Sequence, residues 1–217
     1  MKRTILLIAI SVIAFKSQAQ TEAGKFMLGG GALISTQNNS SSDAKARVFS
    51  IIPQAGYFIS KNLAVGAGIG YQYQTFEQSN NVDGNIIENK SKIGTFVIVP
   101  FARHYTNITE QFRFFGQLSV PMNFGTTKAN DPVSGEYVKQ TTNRNFGAKL
   151  SPGFAFFPGR SKVSFEFSVD GLSYNHSSAT YNNSVPVNVY NGNKVSNDQF
   201  SIGANLLSPT ISIYFYL

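Results

Sequence analysis

The 217-residue chain contains no cysteine. That removes disulfide frameworks and thiolate metal sites together, and because no cysteine follows the apolar N-terminal run, a lipoprotein-type lipid anchor is excluded as well. Long apolar stretches are also missing. The apolar run Ile5 to Phe15 is well short of the roughly 20 residues that a spanning helix needs, so any membrane crossing must be made by strands. No segment sustains a helical period, and no Pro/Ser/Gly-rich linker divides the chain, which points to one domain. Chemistry-bearing motifs are scarce: there is no carboxylate pair, and with only two histidines no metal-spaced cluster. Gly29-Gly30-Gly31 and Gly66-x-Gly68-x-Gly70 do not open helices, so they read as strand glycines that let a wall curve, not as phosphate loops. No cofactor is expected.

Among what is present, the first twenty residues carry an address. Lys2 and Arg3 precede the apolar run, and small residues stand at Ser17 and Ala19; residues 1–20 are expected to be a secretory signal peptide cut near Gln20, leaving 21–217 as the mature domain. Without Lys2, Arg3 and Lys16, the 18 basic residues become 15 against 11 acidic ones, a balance of +4. That is too mild for a nucleic-acid partner.

Period-two alternation appears in eight stretches, near 24–36, 46–58, 62–76, 92–105, 111–125, 144–157, 162–175 and 200–217. Leu63, Val65, Ala67, Ile69, Tyr71 and Tyr73 oppose a small or polar face. Val163, Phe165, Phe167 and Val169 oppose Ser164, Glu166, Ser168 and Asp170. With no helix or second sheet to cover so many apolar faces, the fold class expected is all-β: a single antiparallel up-and-down eight-stranded transmembrane β-barrel. Short turns near 60–62, 106–110 and 158–161 alternate with long polar segments near 37–45, 77–91, 126–143 and 176–199, the pattern of periplasmic turns and extracellular loops. Tyr57, Phe58, His104, Tyr105, Phe156, Phe157, Phe215 and Tyr216 are placed in a periplasmic aromatic girdle. Pro53, Pro100, Pro152 and Pro209 mark bulges or rims, since proline removes a ladder hydrogen bond.

Charge within a membrane strand belongs in the lumen. Arg103, Arg113, Lys149, Glu166 and Asp170 are therefore candidates for an internal ion-pair network, with Glu166 the preferred partner of the arginines. In the polar loops, Tyr137, Lys139, Tyr181 and Tyr190 are candidate contacts, because exposed aromatics among polar residues can anchor a partner.

The leader ending in Ala19-Gln20, the run GYFISKNLAVGAGIGYQY and the run VPFARHYTN resemble the small outer-membrane β-barrel family of Bacteroidota. The resemblance covers the mature chain and implies a barrel of the OmpA/OmpX type in the cell outer membrane. It implies partners too: outer-membrane lipids and lipopolysaccharide, the assembly machinery during insertion, and an extracellular ligand if the loops bind one. A monomer is expected. The terminal Ile211, Ile213, Phe215, Leu217 pattern resembles the machinery's recognition strand, which more usually ends in Phe.

Two alternatives carry specific signals. Tyr174-Asn175-His176-Ser177-Ser178-Ala179 resembles the His-x-Ser-Asn-Ala element of outer-membrane lipid A deacylases, but the Asn is missing. By parity, His176 and Ser178 should share the lumen face of Glu166, away from lipid, and no acid follows at a convincing spacing. A narrow pore is the other alternative, yet eight strands leave an interior that side chains fill. The expected function is thus non-enzymatic: an integral outer-membrane barrel that supports the envelope or presents its loops for adhesion or ligand binding.

Overall fold

A wall one strand thick, with lipid outside and a narrow interior inside, requires each strand to alternate along its whole length and the sheet to close on itself. The computed structural model describes residues 21–39, 43–82, 85–131, 134–159, 161–182, 194–203 and 210–217, and for 80–82 and 85–87 the backbone only. The strands are β1 (Phe26–Asn39), β2 (Ala44–Ser60), β3 (Leu63–Val82), β4 (Asn85–Asn107), β5 (Phe112–Ser119), β6 (Met122–Asn130), β7 (Tyr137–Phe156), β8 (Val163–Ser168), β9 (Leu172–Tyr181), β10 (Lys194–Ile202) and β11 (Thr210–Tyr216). All pairings are antiparallel. β5 and β6 share the place between β4 and β7, β8 and β9 both follow β7, and β11 closes the sheet on β1 at Met27↔Tyr216 and Leu28↔Phe215. With β5 and β6, β8 and β9, and β10 and β11 each counted as one span, eight wall spans result, as the alternation predicts. The signal-peptide residues 1–20 and Pro209 lie outside the described residues.

Two of the three breaks within spans lie among the described residues, and they have different reasons. Between β5 and β6 the break is Pro121, which has no N–H to give. The ladder continues around it, with Val120 N–H donating to Pro100 O at 2.9 Å and Gly147 N–H to Pro121 O at 3.0 Å. Ser119↔Lys149 and Met122↔Phe146 keep one register, so inward residues stay inward. Between β8 and β9 the break is a bulge. Ser168 pairs with Gly153 and Leu172 with Leu150, so three residues, 169–171, face two, 151 and 152. One extra residue reverses the facing of everything beyond it. Ser164 and Glu166 are buried inside, whereas Leu172 and Tyr174 are 39% and 45% exposed outside. His176 and Ser178 follow Tyr174 outward, which corrects the expectation that they share Glu166's face.

The outward band is apolar from strand to strand. Ile69, Phe114, Leu118, Phe124, Leu150, Phe154, Phe165 and Ile213 are all exposed, far more continuous apolar surface than a soluble domain leaves uncovered. Inside, one end of the barrel is filled by Met27, Phe58, Phe101, Tyr105, Phe115, Phe157, Tyr214 and Tyr216. Four aromatics expected in the periplasmic girdle, Phe58, Tyr105, Phe157 and Tyr216, form an internal plug instead, because parity turns them inward. Their neighbours Tyr57 and Phe156 join the outer girdle through Phe26 and Phe112, with ring centroids 5.0 and 4.8 Å apart. Glycine makes room for the plug. A Cβ on Gly66 would lie 2.7 Å from Phe101 Cζ, and one on Gly153 would meet both the Phe115 ring and Phe167 O.

The plugged end carries the short turns. Asn62 takes the left-handed conformation (φ 69°) that Asn tolerates, Thr109 Oγ1 accepts from the N–H groups of Gln111 and Phe112 at 3.2 and 3.0 Å, and Gly159 turns the third at φ 59°. At the opposite end the strands run on. β3, β4 and β7 have 20, 23 and 20 residues where a crossing needs about 9–11. Much of the predicted loop sequence is therefore strand: the β3–β4 ladder reaches Val82↔Asn85, and β9 pairs β10 up to Thr180↔Lys194. Above the bilayer both faces meet water, so the polar sequence lost its alternation while the backbone ladder continued.

Candidate functional site: the barrel lumen

Arg103 of β4 and Glu166 of β8 meet in the plug, each 3% exposed. Arg103 Nη1 donates to Glu166 Oε2 at 2.6 Å and to Tyr105 OH at 2.9 Å, Nη2 donates to Tyr214 OH at 3.2 Å, and Nε donates to Gln117 Oε1 at 2.7 Å. Glu166 Oε1 accepts from Tyr216 OH at 2.8 Å, Ser164 Oγ at 3.1 Å and Tyr105 OH at 3.3 Å. The guanidinium lies 4.6 Å from the ring centroids of both Phe115 and Tyr214. A buried charge pair offsets its desolvation only when such bonds complete both partners. Here the aromatic plug supplies them through its own hydroxyls.

The other predicted lumen charges lie elsewhere. Lys149 of β7 pairs with Asp170, in the β8–β9 bulge, where the two side chains are 32% and 68% exposed. Arg113 of β5 points to the turn end, donates to the hydroxyl of Thr21, and lies 4.7 Å from the Phe157 ring centroid. Of the five, Arg103 pairs with Glu166 and Lys149 with Asp170, while Arg113 lies against the Phe157 ring of the plug.

Above the Arg103–Glu166 floor is a cavity of about 310 Å³. Gln54, Gln72, Gln117, Asn123, Lys149 and Ser151 are among its lining. The charged groups that line it are Arg103, Lys149 and Glu166. Sequence reasoning missed Gln54, Tyr214 and Tyr216 as parts of this site. Their signal was parity: Ser212, Tyr214 and Tyr216 alternate against the outward Ile211, Ile213 and Phe215.

At the tall end, Tyr137 is half-buried beneath Lys92, whose Nζ lies 3.6 Å from the ring centroid. Lys139 is exposed on β7, and its carbonyl accepts from Asn182 Nδ2 at 3.3 Å. Tyr181 ends β9 opposite Thr141, and Tyr190 lies outside the described residues. On the outer face, an acid does approach the histidine: Asp198 Oδ1 is 2.7 Å from His176 Nδ1 and accepts from Tyr174 OH at 2.7 Å. These bonds, Tyr174 first and His176 second, hold the Asp198 carboxyl below the ordinary range. Ser178 Oγ donates instead to Arg144 O at 3.4 Å. A serine nucleophile requires a bond to its base, and this hydroxyl is given to a carbonyl. Among the described residues, no His/Cys/Asp/Glu group suits a metal ion.

The family model for the outer membrane protein beta-barrel domain matches residues 5–206. The chain belongs to this family. Barrels of this kind carry short turns on the periplasmic side and longer connections outside; here the aromatic plug lies at the short-turn end and the tall strands rise at the other. Among solved structures it is similar to Neisserial surface protein A (NspA), at 12% identity and a TM-score of 0.38, over 89% of this chain and 97% of that one. No curated protein matches the sequence.

Proposed function

We propose that this outer-membrane barrel is non-enzymatic and works through its extracellular end, as an envelope-structural or surface-interaction protein. The observation that carries this reading is the contrast along the axis: the periplasmic half of the lumen is filled by aromatic rings and a satisfied ion pair, while β3, β4 and β7 rise far above what a crossing needs. A filled interior gives no diffusion path. Tall, polar strand pairs give a rigid platform for contact. In this reading residues 1–20 are removed on export, the assembly machinery inserts the strands, lipopolysaccharide surrounds the rim, and the barrel is a monomer whose surface contacts include Tyr137, Lys139 and Tyr181.

Labelling intact cells with a membrane-impermeant amine reagent tests the orientation. Lys139 is expected to react and Lys61, in a turn, to stay unlabelled until the cells are opened; the reverse pattern would overturn the reading. Purified folded barrel is expected to give no stepwise current in a planar bilayer and no release from a chromogenic acyl ester. Either signal, if given by the folded barrel and lost when it is heat-unfolded, would replace the reading with a pore or a hydrolase.

A further inference from the structure

The lumen cavity has an orientation that hydrogen-bond chemistry forces. Arg103 Nε can only donate, so the Gln117 atom 2.7 Å away is its amide oxygen, and the Gln117 amino group must turn from the floor. Tyr214 OH receives Arg103 Nη2 at 3.2 Å, so its single proton goes to Gln54 Oε1 at 2.5 Å, and the Gln54 amino group is turned away likewise. One buried guanidinium thus fixes two amides, directly and through a phenol. Both glutamines line the cavity, from β2 and β5, three places apart around the wall. Lys149 adds an ammonium from β7.

The ionic groups at the cavity are paired, which leaves its donors to decide what it binds. Arg103 and Lys149 contribute two positive charges to the lining and Glu166 one negative, and the Glu166 oxygens are occupied by Arg103, Tyr105, Tyr216 and Ser164. Lys149 is itself paired with Asp170, so what remains is donor-rich rather than charged: the Gln54 and Gln117 amino groups and the Lys149 N–H groups that Asp170 does not take. We infer that the extracellular half of the lumen is a binding cup for a small solute bearing an oxyanion, a carboxylate or a phosphoryl group, held by the Gln54 and Gln117 amino groups and by Lys149. The cavity of about 310 Å³ lies at the lower end of the roughly 300–1,000 Å³ range of ligand sites, so the solute is small. Because the plug closes the periplasmic side, it enters and leaves from outside. The cup is a capture site, not a channel.

The test uses the full barrel folded in an alkyl maltoside micelle, which carries no oxyanion, with the glutamine side-chain amides labelled for NMR. Sodium acetate and sodium phosphate are titrated separately at ionic strength held constant with chloride. Saturating shifts of both the Gln54 and Gln117 NH2 signals are expected with at least one probe, and the tighter of the two identifies the carboxylate or the phosphoryl source. Gln117→Glu keeps an acceptor for Arg103 Nε but removes the donor, and is expected to weaken binding at least tenfold in a barrel that still shows heat-modifiable migration. Gln54→Glu makes the same exchange beside Tyr214, should the first variant not fold. Lys149→Met is expected to weaken binding severalfold, and Asp170→Asn, which releases Lys149, to strengthen it. Absence of saturation with both probes, or unchanged affinity in a folded glutamine variant, overturns the inference.

Discussion

Two ion pairs share one barrel and differ in what surrounds them. Arg103–Glu166 sits in the periplasmic half with side chains 4% and 2% exposed, whereas Lys149–Asp170 stands toward the outer half at 32% and 68%. The first is enclosed by phenols, a serine and a glutamine that complete its hydrogen bonds; the second has water to share the work. The same chemistry therefore holds the lower lumen shut and leaves the upper lumen open. Enclosure, not the presence of a salt bridge, separates a plug from a cup.

The sharpest way to break this comparison is to remove one acid from each pair. Glu166→Leu strands a buried guanidinium and is expected to cost about 3–5 kcal/mol, read as a lower urea midpoint for loss of the fast-migrating folded band. Asp170→Asn is expected to change that midpoint by less than about 1 kcal/mol. Adding Arg103→Met to Glu166→Leu is expected to recover a large part of the loss; equal losses from Glu166→Leu and Asp170→Asn would show that the plug is not an enclosed site. A smaller effect comes from Gly153→Ala, whose new methyl meets the Phe115 ring and a backbone oxygen; about 1–3 kcal/mol of overpacking is expected in the same assay, with no change in probe binding to the cup.

The smallest effect lies beyond the membrane. The Asp198 carboxyl is held low by Tyr174 and His176, so its contribution is present above the unfolded carboxylate value of about 3.9 and is lost as pH falls through the lower folded value. Amide exchange in β9 and β10 is expected to quicken below that range while β4 stays protected, and Asp198→Asn is expected to remove the pH dependence. Exchange that quickens equally in β4 would mean that the acid transition belongs to the whole barrel.

How far the sequence could be read depended on whether a strand met two different solvents. Where lipid lay on one side, as along Val65, Ile69 and Tyr71, alternation was plain and the spans fell near their predicted places. Where water lay on both sides, as at 78–82 and 85–89, the polar sequence read as loop although its backbone is paired. Parity carried the lumen assignments of Arg103 and Glu166 but failed past the bulge at 169–171, where one inserted residue moved His176 and Ser178 to the outer face. A bulge leaves no mark in an alternating pattern shorter than the segment it reverses.

The sequence by itself determined that this chain crosses a membrane in strands, because alternating apolar faces without helices have no other way to be covered. It also determined which end carries short turns, through Asn62, Thr109 and Gly159. Only the tertiary structure decided which charges meet, since Arg103 and Glu166 are 63 residues apart and their heights in the wall depend on register. It alone decided that Tyr105, Tyr214 and Tyr216 serve that pair, and that Gln54 and Gln117 are left facing an open cup: closure of the sheet, a property of all eight spans together, brings these side chains around one axis.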